Sequence, residues 1–439
     1  MATMDDVQII EADWTWTGSK FESGIQVVVE SDGEIEHVGM LDAKPTHRLI
    51  DRALLPGFVN VHSHAFQRGL RGHGETFPDG AGSFWTWREA MYGLVARLDD
   101  EAFFQLTREA FTEMLAAGIT TVGEFHYLHH DASGDGYAFD ELVLKAAAEA
   151  GIRLVLLNTY YNAGGVDRPL EEGQRRFATR TVEGYWRQMD RLAHRLDPMT
   201  QSLAAVAHSV RAASVEEIVA LYKEAHRRDM VFHMHVEEQR KEIEECVAVH
   251  GRTPMALLNE RLAIDESFTA VHATHTAPAD MKRFVSPGGH VCLCPLTEGN
   301  LGDGIADAGP LGSRLDRICV GSDSNARISM IEELRWLEYV RRLKSETRGV
   351  FRDERGGVAP TLLAMATING ARSLGVKTGR IAPGYLADFS MIDLEAASLA
   401  GWSADTLLES IIFGADNEVV VGTCVGGKWH PSLSDGGIH

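Results

Sequence analysis

Cysteine is scarce in this 439-residue chain, and the few present do not pair by pattern. Cys246, Cys292, Cys294, Cys319 and Cys424 are an odd five with no CxxC spacing, which argues against a disulfide framework. Cys292 and Cys294 alternate on an apparent strand and point the same way, too close for an easy disulfide. They read as reduced thiols packed in the core of a cytoplasmic protein, with a metal role as the alternative. Positive charge is also short. Lys and Arg number 42 against 63 Asp and Glu, a net charge of −21. That balance argues against nucleic acid or an anionic membrane as partner. It leaves room for an anionic small substrate, because a few local arginines can overcome the overall field. No apolar run approaches the length of a membrane helix. The start, "MATMDDVQIIEADWTWTG", is acidic and lacks the basic region and apolar core of an export signal, so a cytoplasmic location is expected. No repeat, low-complexity tract or long linker appears.

What remains is an ordinary soluble composition, 44% hydrophobic and 24% charged, in a chain long enough for one large barrel or two domains. The first segment reads as β: "GIQVVVESDGEIEHVG" alternates on both sides of Asp32-Gly33, a hairpin signal. The last segment is similar, with "ADFSMIDL" and "EVVVGTCVGGKW" as short β runs. Between them, strands alternate with helices. The strand candidates are 59–64, 120–125, 153–160, 203–210, 231–236, 269–275, 290–295 and 317–322, eight in all. Residues 101–117 carry apolar Phe103, Leu106, Ala110 and Met114 at helical spacing and stop at Gly118. Ser214 and Glu217 make a capping-box start for a helix running to Arg228. Eight strands with intervening helices predict an α/β (β/α)8 TIM-like barrel over 57–379. A small β-sandwich domain built from both chain ends, 1–56 and 380–439, completes the expectation. The seventh unit is the thinnest, with little but a Gly-rich loop between Pro295 and Arg317.

Barrel enzymes place reacting groups at the C-terminal ends of strands, and polar residues concentrate there. The first strand ends in His62-Ser-His64. The fourth ends in "AHSVRA", with His208 and Arg211. The fifth gives "FHMHVEE", with His233, His235 and Glu238. The sixth gives "VHATH", with His272 and His275, and the eighth "VGSDSN", with Asp323. Side chains two apart on a strand share a face, so His62 and His64 can meet one metal ion. His235 and Asp323 suit as further ligands, with His233 competing for the same face as His235. Three imidazoles and a carboxylate fit Zn²⁺ or another first-row ion with room for water. Such an ion lowers the pKa of bound water toward neutrality and makes hydroxide available as nucleophile. Glu238, three residues beyond His235, is placed to shuttle protons, and His272 to hold the attacking water or stabilise the intermediate. Taken singly, each of these residues has an ordinary role. An HxH pair is a weak signal, "GSDS" is a common turn, Arg88 and Arg211 fit surface ion pairs, and His126, His129, His130 and His275 fit hydrogen-bonded histidines. Their joint occurrence in strand order is what points to a site. The fourth strand, "LAAVAHSV", has no lysine to bridge a second ion, which favours a single metal.

These residues resemble the amidohydrolase superfamily, in its mononuclear deaminase branch, through "PGFVNVHSH", "HVEE", "VHATH", "VGSDS" and "GRIAPGYLADF" in order along nearly the whole chain. Within it the chain resembles the N-formimino-L-glutamate deiminase (formimidoylglutamate deiminase) family of histidine degradation. The stretches that narrow the match are "HSHAFQRGLRG", "SFWTWREAMY", "GEFHYLHHD", "AHSVRA", "CPLTEGNLGDG" and "EELRWLEY". The resemblance implies hydrolysis of N-formimino-L-glutamate to N-formyl-L-glutamate and ammonia with one zinc ion, and a homodimer. It implies His62, His64, His235 and Asp323 as metal ligands, and Glu238 and His272 as the proton-transfer and polarising pair. It implies Gln67, Arg88, Tyr127, His208 and Arg211 as substrate contacts. Two guanidinium groups in an acidic protein agree with a dicarboxylate substrate. The competing expectations are a deaminase of a guanine-like or pterin-like ring and a non-catalytic binding barrel. The resemblance gives no expectation for Asn325 and Arg327, and "ADFSMIDL" carries Ser390 and Met391 where a plainer apolar run is common.

Overall fold

A computed structural model describes residues 7–77, 80–307, 309–312 and 314–431; the acidic start, Met1–Asp6, lies outside the described residues. The chain ends build a mixed sheet. Its N-terminal strands are β1 (Gln8–Trp16), β2 (Phe21–Glu22), β3 (Gln26–Val29), β4 (Ile35–Gly39) and β5 (His47–Pro56). β3 and β4 form the hairpin expected at Asp32-Gly33. Gly33 sits at φ +83°, where a Cβ would also lie 2.7 Å from the Gly426 carbonyl oxygen, so only glycine fits.

The second sheet is the barrel. β6 (Phe58–Ser63), β7 (Ile119–His126), β8 (Arg153–Tyr160), β9 (Gln201–Ala207), β10 (Phe232–Val236), β11 (Phe268–His272), β12 (His290–Leu293) and β13 (Ile318–Val320) pair in sequence order, all parallel. β7 and β8 are buried along their whole length, as strands covered on both faces must be. All eight fall on the expected segments, but several end earlier. β11 stops at His272 instead of running to His275, because His272 (φ 70°) and Ala273 (φ 50°) turn the backbone left-handed and off the ladder. The thin seventh unit does contain a helix, Pro295–Leu301, capped by Gly302.

Helices follow their sequence signals. Asp99 accepts from Ala102 N–H to start the helix Asp100–Ala116, which buries Phe103, Ala110 and Met114 and ends before Gly118. Ser214 and Glu217 form the expected capping box on Val215–Arg227.

The chain then returns to the first sheet with β14 (Phe389–Asp393), β15 (Val420–Val425) and β16 (Lys428–Pro431), giving the order β16-β15-β14-β5-β1-β3-β4. The far edge bends back: Ile35 N–H donates to the Tyr385 carbonyl and Ala387 N–H to the Gly33 carbonyl, each at 2.8 Å. Both halves therefore cover one apolar interior, with Ile10, Val27 and Ile35 against Phe389, Met391 and Cys424. No helix among the described residues is long and apolar enough to cross a membrane.

One buried ion pair ties the sheet to the barrel. Arg153, the first residue of β8, donates from Nε and Nη2 to the two oxygens of Asp388 at 2.7 and 2.9 Å. Thr378 Oγ1 (2.9 Å) and Gly426 N–H (2.7 Å) also donate to that carboxylate. Removing one partner of such a pair leaves a buried charge uncompensated. Asp388→Ala should destabilise the protein by roughly 3–5 kcal/mol in urea unfolding. Asp393→Ala, which frees the half-exposed Arg52 at the far end of the same strand, should cost at most about 1 kcal/mol.

Candidate active site

The barrel closes where β6 meets the residues just after β13. Asp323 N–H donates to the His62 carbonyl and His64 N–H to the Asp323 carbonyl, both at 2.9 Å. Gly321 permits this approach, since a Cβ there would stand 2.7 Å from the His62 oxygen. The side chains on this seam converge. His62 Nε2 and His235 Nε2 are 3.1 Å apart, and Asp323 Oδ1 lies 3.4 Å from His62 Nε2 and 3.3 Å from His64 Nε2. His64 Nδ1–H donates to the Phe125 carbonyl (2.8 Å) and His235 Nδ1–H to the His208 carbonyl (3.1 Å), so both turn an Nε2 lone pair inward. Burial, reinforced by neighbouring imidazoles, holds His62 and His235 well below the usual histidine range and His64 at about 3. Neutral nitrogens facing one another around a carboxylate oxygen are the donor set of a divalent cation. The structure thus brings His62, His64, His235 and Asp323 together as a group that could hold a metal ion. His233 lies elsewhere, with its Nε2 against the Ser373 carbonyl at 3.0 Å.

Glu238 and His272 border this group. His272 Nε2 is 4.0 Å from Glu238 Oε1 and 3.8 Å from Asp323 Oδ2, and its Nδ1 is 3.4 Å from Glu298 Oε1. Burial pulls His272 down, but Glu238, Glu298 and Asp323 together outweigh it and raise the ring to about 10. Glu298 was not singled out from the sequence. It lies within the quoted "CPLTEGNLGDG" and also accepts from Cys294 N–H at 3.0 Å.

The pocket over these groups is lined by all the expected substrate contacts, Gln67, Arg88, Tyr127, His208 and Arg211, along with the ring walls of Phe84, Trp87 and Tyr161. Gln67 Nε2 donates to Tyr127 Oη at 2.8 Å, which leaves Gln67 Oε1 buried without a partner. Burial and then Arg211 keep His208 well below its ordinary value, hence neutral. Arg88 lies beside Trp85 and Tyr92, 5.4 and 5.1 Å from their ring centres, and pairs with no carboxylate among the described residues. Arg211, expected as a substrate contact with a surface ion pair as its ordinary alternative, is buried and paired with Glu238.

His126, His129 and His130 make structural hydrogen bonds, and the cysteines are packed in the core. Asp140 accepts from His126 Nε2, His129 Nδ1, Asn158 Nδ2 and Gln188 Nε2 at 2.8–3.1 Å, and His129 Nε2–H donates to the Thr159 carbonyl at 2.7 Å. Hydrogen bonds thus occupy that second donor cluster. His130 donates to the Ala178 carbonyl at 2.8 Å. All five cysteines are free and buried. Cys294 approaches His272 and Asp323, but burial holds its thiol well above the usual range, and so protonated. Asn325, for which the resemblance gives no role, has a clear place. It accepts from Ser322 Oγ (2.6 Å) and donates to Ser63 Oγ (3.1 Å), bracing the seam between the ligand-bearing strands. Arg327 is exposed and pairs with Glu332.

Comparison with known proteins agrees with this architecture. The model of the amidohydrolase family matches residues 53–430. A formimidoylglutamate deiminase of Pseudomonas aeruginosa is 41% identical over 383 residues, covering 86% of this chain and 84% of that protein. The crystal structure of an amidohydrolase from Brucella melitensis superposes with a TM-score of 0.85 at 31% identity, over 96% of this chain and 94% of the other. An adenosine deaminase from Xanthomonas campestris with bound zinc shares the fold, with a TM-score of 0.80 at 24% identity over 96% and 92% of the two chains. Since the family's model runs from β5 through the barrel and its histidine–aspartate seam to β16, this chain belongs to the amidohydrolase family.

Proposed function

We propose that the chain is a metal-dependent iminohydrolase that converts N-formimino-L-glutamate and water to N-formyl-L-glutamate and ammonia. The observation that carries this reading is one pocket in which two guanidinium groups, Arg88 and Arg211, face a buried histidine–aspartate donor cluster. The identity to a formimidoylglutamate deiminase supports it. A dicarboxylate calls for two cations that can each make parallel hydrogen bonds, and guanidinium does so better than ammonium.

His62, His64, His235 and Asp323 would hold one ion, and this donor set suits Zn²⁺. The ion, when bound, supplies Lewis-acid activation of water near neutral pH. The other roles belong to the chain. Glu238 takes a proton from the water that adds to the formimino carbon and passes it to the terminal nitrogen. It then carries the proton of the new hydroxyl to the same nitrogen as the bond from that nitrogen to carbon breaks, so the formyl C=O forms and ammonia leaves. His272, held cationic between Glu238 and Glu298, orients the water and stabilises charge at the tetrahedral carbon. Gln67 Oε1, buried without a partner, accepts from a formimino N–H, and Tyr127 fixes the amide that presents it. Neutral His208 adds a donor on the Arg211 side. The same reading divides the chain into the catalytic barrel, 57–379, and a supporting β domain from 1–56 and 380–439.

The direct test is ammonia release by metal-loaded protein from formimino-amino acids and from aminated heterocycles. Release from N-formimino-L-glutamate is expected. Turnover confined to a heterocyclic amine would instead assign the pocket to a ring deaminase. Glu238→Gln should lower kcat by about 10²–10⁴-fold while elemental analysis still finds the metal. Asp323→Ala should lose the metal itself. Arg88→Met removes a charge-assisted contact, so kcat/KM for N-formimino-L-glutamate should drop about 10–100-fold, with little change for formamidine, which has no carboxylate.

A further inference from the structure

Arg211 is claimed twice. The iminohydrolase reading needs its donors for a substrate carboxylate, yet in this structure Nη2, one end of the guanidinium fork, is engaged by Glu238. Arg211 Nη2 donates to Glu238 Oε2 at 3.0 Å, and Arg211 Nε lies 3.6 Å from Glu242 Oε2. The three side chains are only 11, 6 and 0% exposed. Arg211 Nε and both Glu242 oxygens make no hydrogen bond, so Glu242 contributes charge behind the guanidinium and not a fixed contact. Glu238 is therefore held on the Arg211 side by one oxygen, while its other oxygen faces His272 at 4.0 Å.

We infer, on the basis of the iminohydrolase reading, that Arg211 couples substrate recognition to the availability of Glu238. With no substrate bound, the guanidinium keeps Glu238 Oε2 in an ion pair. A substrate carboxylate entering the pocket takes the Nη donors, and Glu238 Oε2 is released toward the reacting nitrogen. Glu242 stays behind Arg211 throughout. One carboxylate replaces another, so the buried cation is never left alone, and the exchange avoids the penalty of breaking a buried pair outright. A formimino compound without a carboxylate offers no such exchange. It meets a proton-transfer group still tied to Arg211. Specificity then lies in kcat as well as in KM, which is how binding energy from a remote part of a substrate acts on a chemical step. If Arg211 were only a static counter-ion for Glu238, the carboxylate would affect binding alone.

The experiment divides the substrate into two pieces. Metal-loaded full-length protein is assayed for ammonia release from N-formimino-L-glutamate, from formamidine, and from formamidine with saturating glutarate. Slow formamidine turnover is expected, with glutarate raising its kcat by about 10-fold or more. In Arg211→Gln, glutarate should no longer raise the kcat for formamidine, whatever the basal rate of the variant. Turnover of N-formimino-L-glutamate with no glutarate activation of formamidine would overturn the coupling and leave the iminohydrolase reading intact. No ammonia from N-formimino-L-glutamate would overturn that reading, and the coupling with it. The decisive measurement uses the unmodified chain, so a poorly folding Arg211→Gln does not protect the proposal.

Discussion

Two backbone hydrogen bonds across the seam between the first and last barrel strands govern both the shape of this molecule and its chemistry. They join Asp323 to His62 and His64. An eight-stranded parallel sheet left open would expose two rows of unpaired peptide groups at its edges, and closing it removes them. Here the residues that close it are also the ones whose side chains converge. Asp323 adopts φ 48° and Asn325 φ 55°, conformations seldom used by residues with a side chain. The bond from Asn60 Nδ2 to Ser322 Oγ (2.7 Å) and those of Asn325 to Ser322 and Ser63 hold that unusual backbone in place. Closure of the fold therefore brings together three of the four donors, His62, His64 and Asp323, with His235 reaching them from β10. A ligand substitution that disturbs the backbone here affects stability as well as chemistry.

The electrostatics of the pocket oppose those of the whole chain. A protein with 21 more acidic than basic residues still presents Arg88, with no acidic partner among the described residues, and Arg211 at the mouth of its barrel. Each is shielded differently. Arg88 rests against aromatic faces, which contribute a modest attraction without occupying its donors. Arg211 sits beside the Phe84 ring and between two glutamates. One guanidinium has no carboxylate partner among the described residues, and the other already holds one.

Much of this was legible in the sequence. The strands could be placed because a parallel barrel buries both faces and so writes near-continuous apolar runs. The polar residues that interrupt their ends stand out against that background, which made His62, His64, His235, His272 and Asp323 visible. Strand ends were less legible. β11 stops at His272 through left-handed backbone, and apolar periodicity carries no signal for φ. The choice between His233 and His235 was also closed to periodicity, since both point inward; depth along the barrel separates them, with His233 meeting Ser373 and His235 meeting His62. Glu298 and Glu242 were missed for a related reason. Each lies on a helix after its strand, where an acidic residue is ordinary, and only tertiary packing brings one to His272 and the other to Arg211. Asn325 had no assigned role, because its partners lie far along the chain at Ser63 and close by at Ser322.

The acids around the barrel mouth explain why a cation belongs there. Asp323, Glu238 and Glu298 crowd His272 within 4.0 Å, and further buried carboxyls stand nearby. Burial, with Glu238 adding to it, pushes Asp303 up to about 8. Burial raises Glu124 to about 8 despite the Ala65 N–H. It raises Glu242 to about 7 despite Arg211. Isolated carboxylates in such surroundings would be strongly unfavourable, and a chain has three ways to tolerate them: protonation, pairing with fixed cations, or a bound metal. Burial favours the first at Asp303 and Glu124, and the second is made at Arg211, beside Glu238 and Glu242. The third fits the four donors on the seam, where the imidazoles are neutral and cannot compensate the charge of Asp323 themselves. A divalent ion there would offset that charge and draw the inward nitrogen lone pairs together, so the group that activates water would also stabilise the closed barrel.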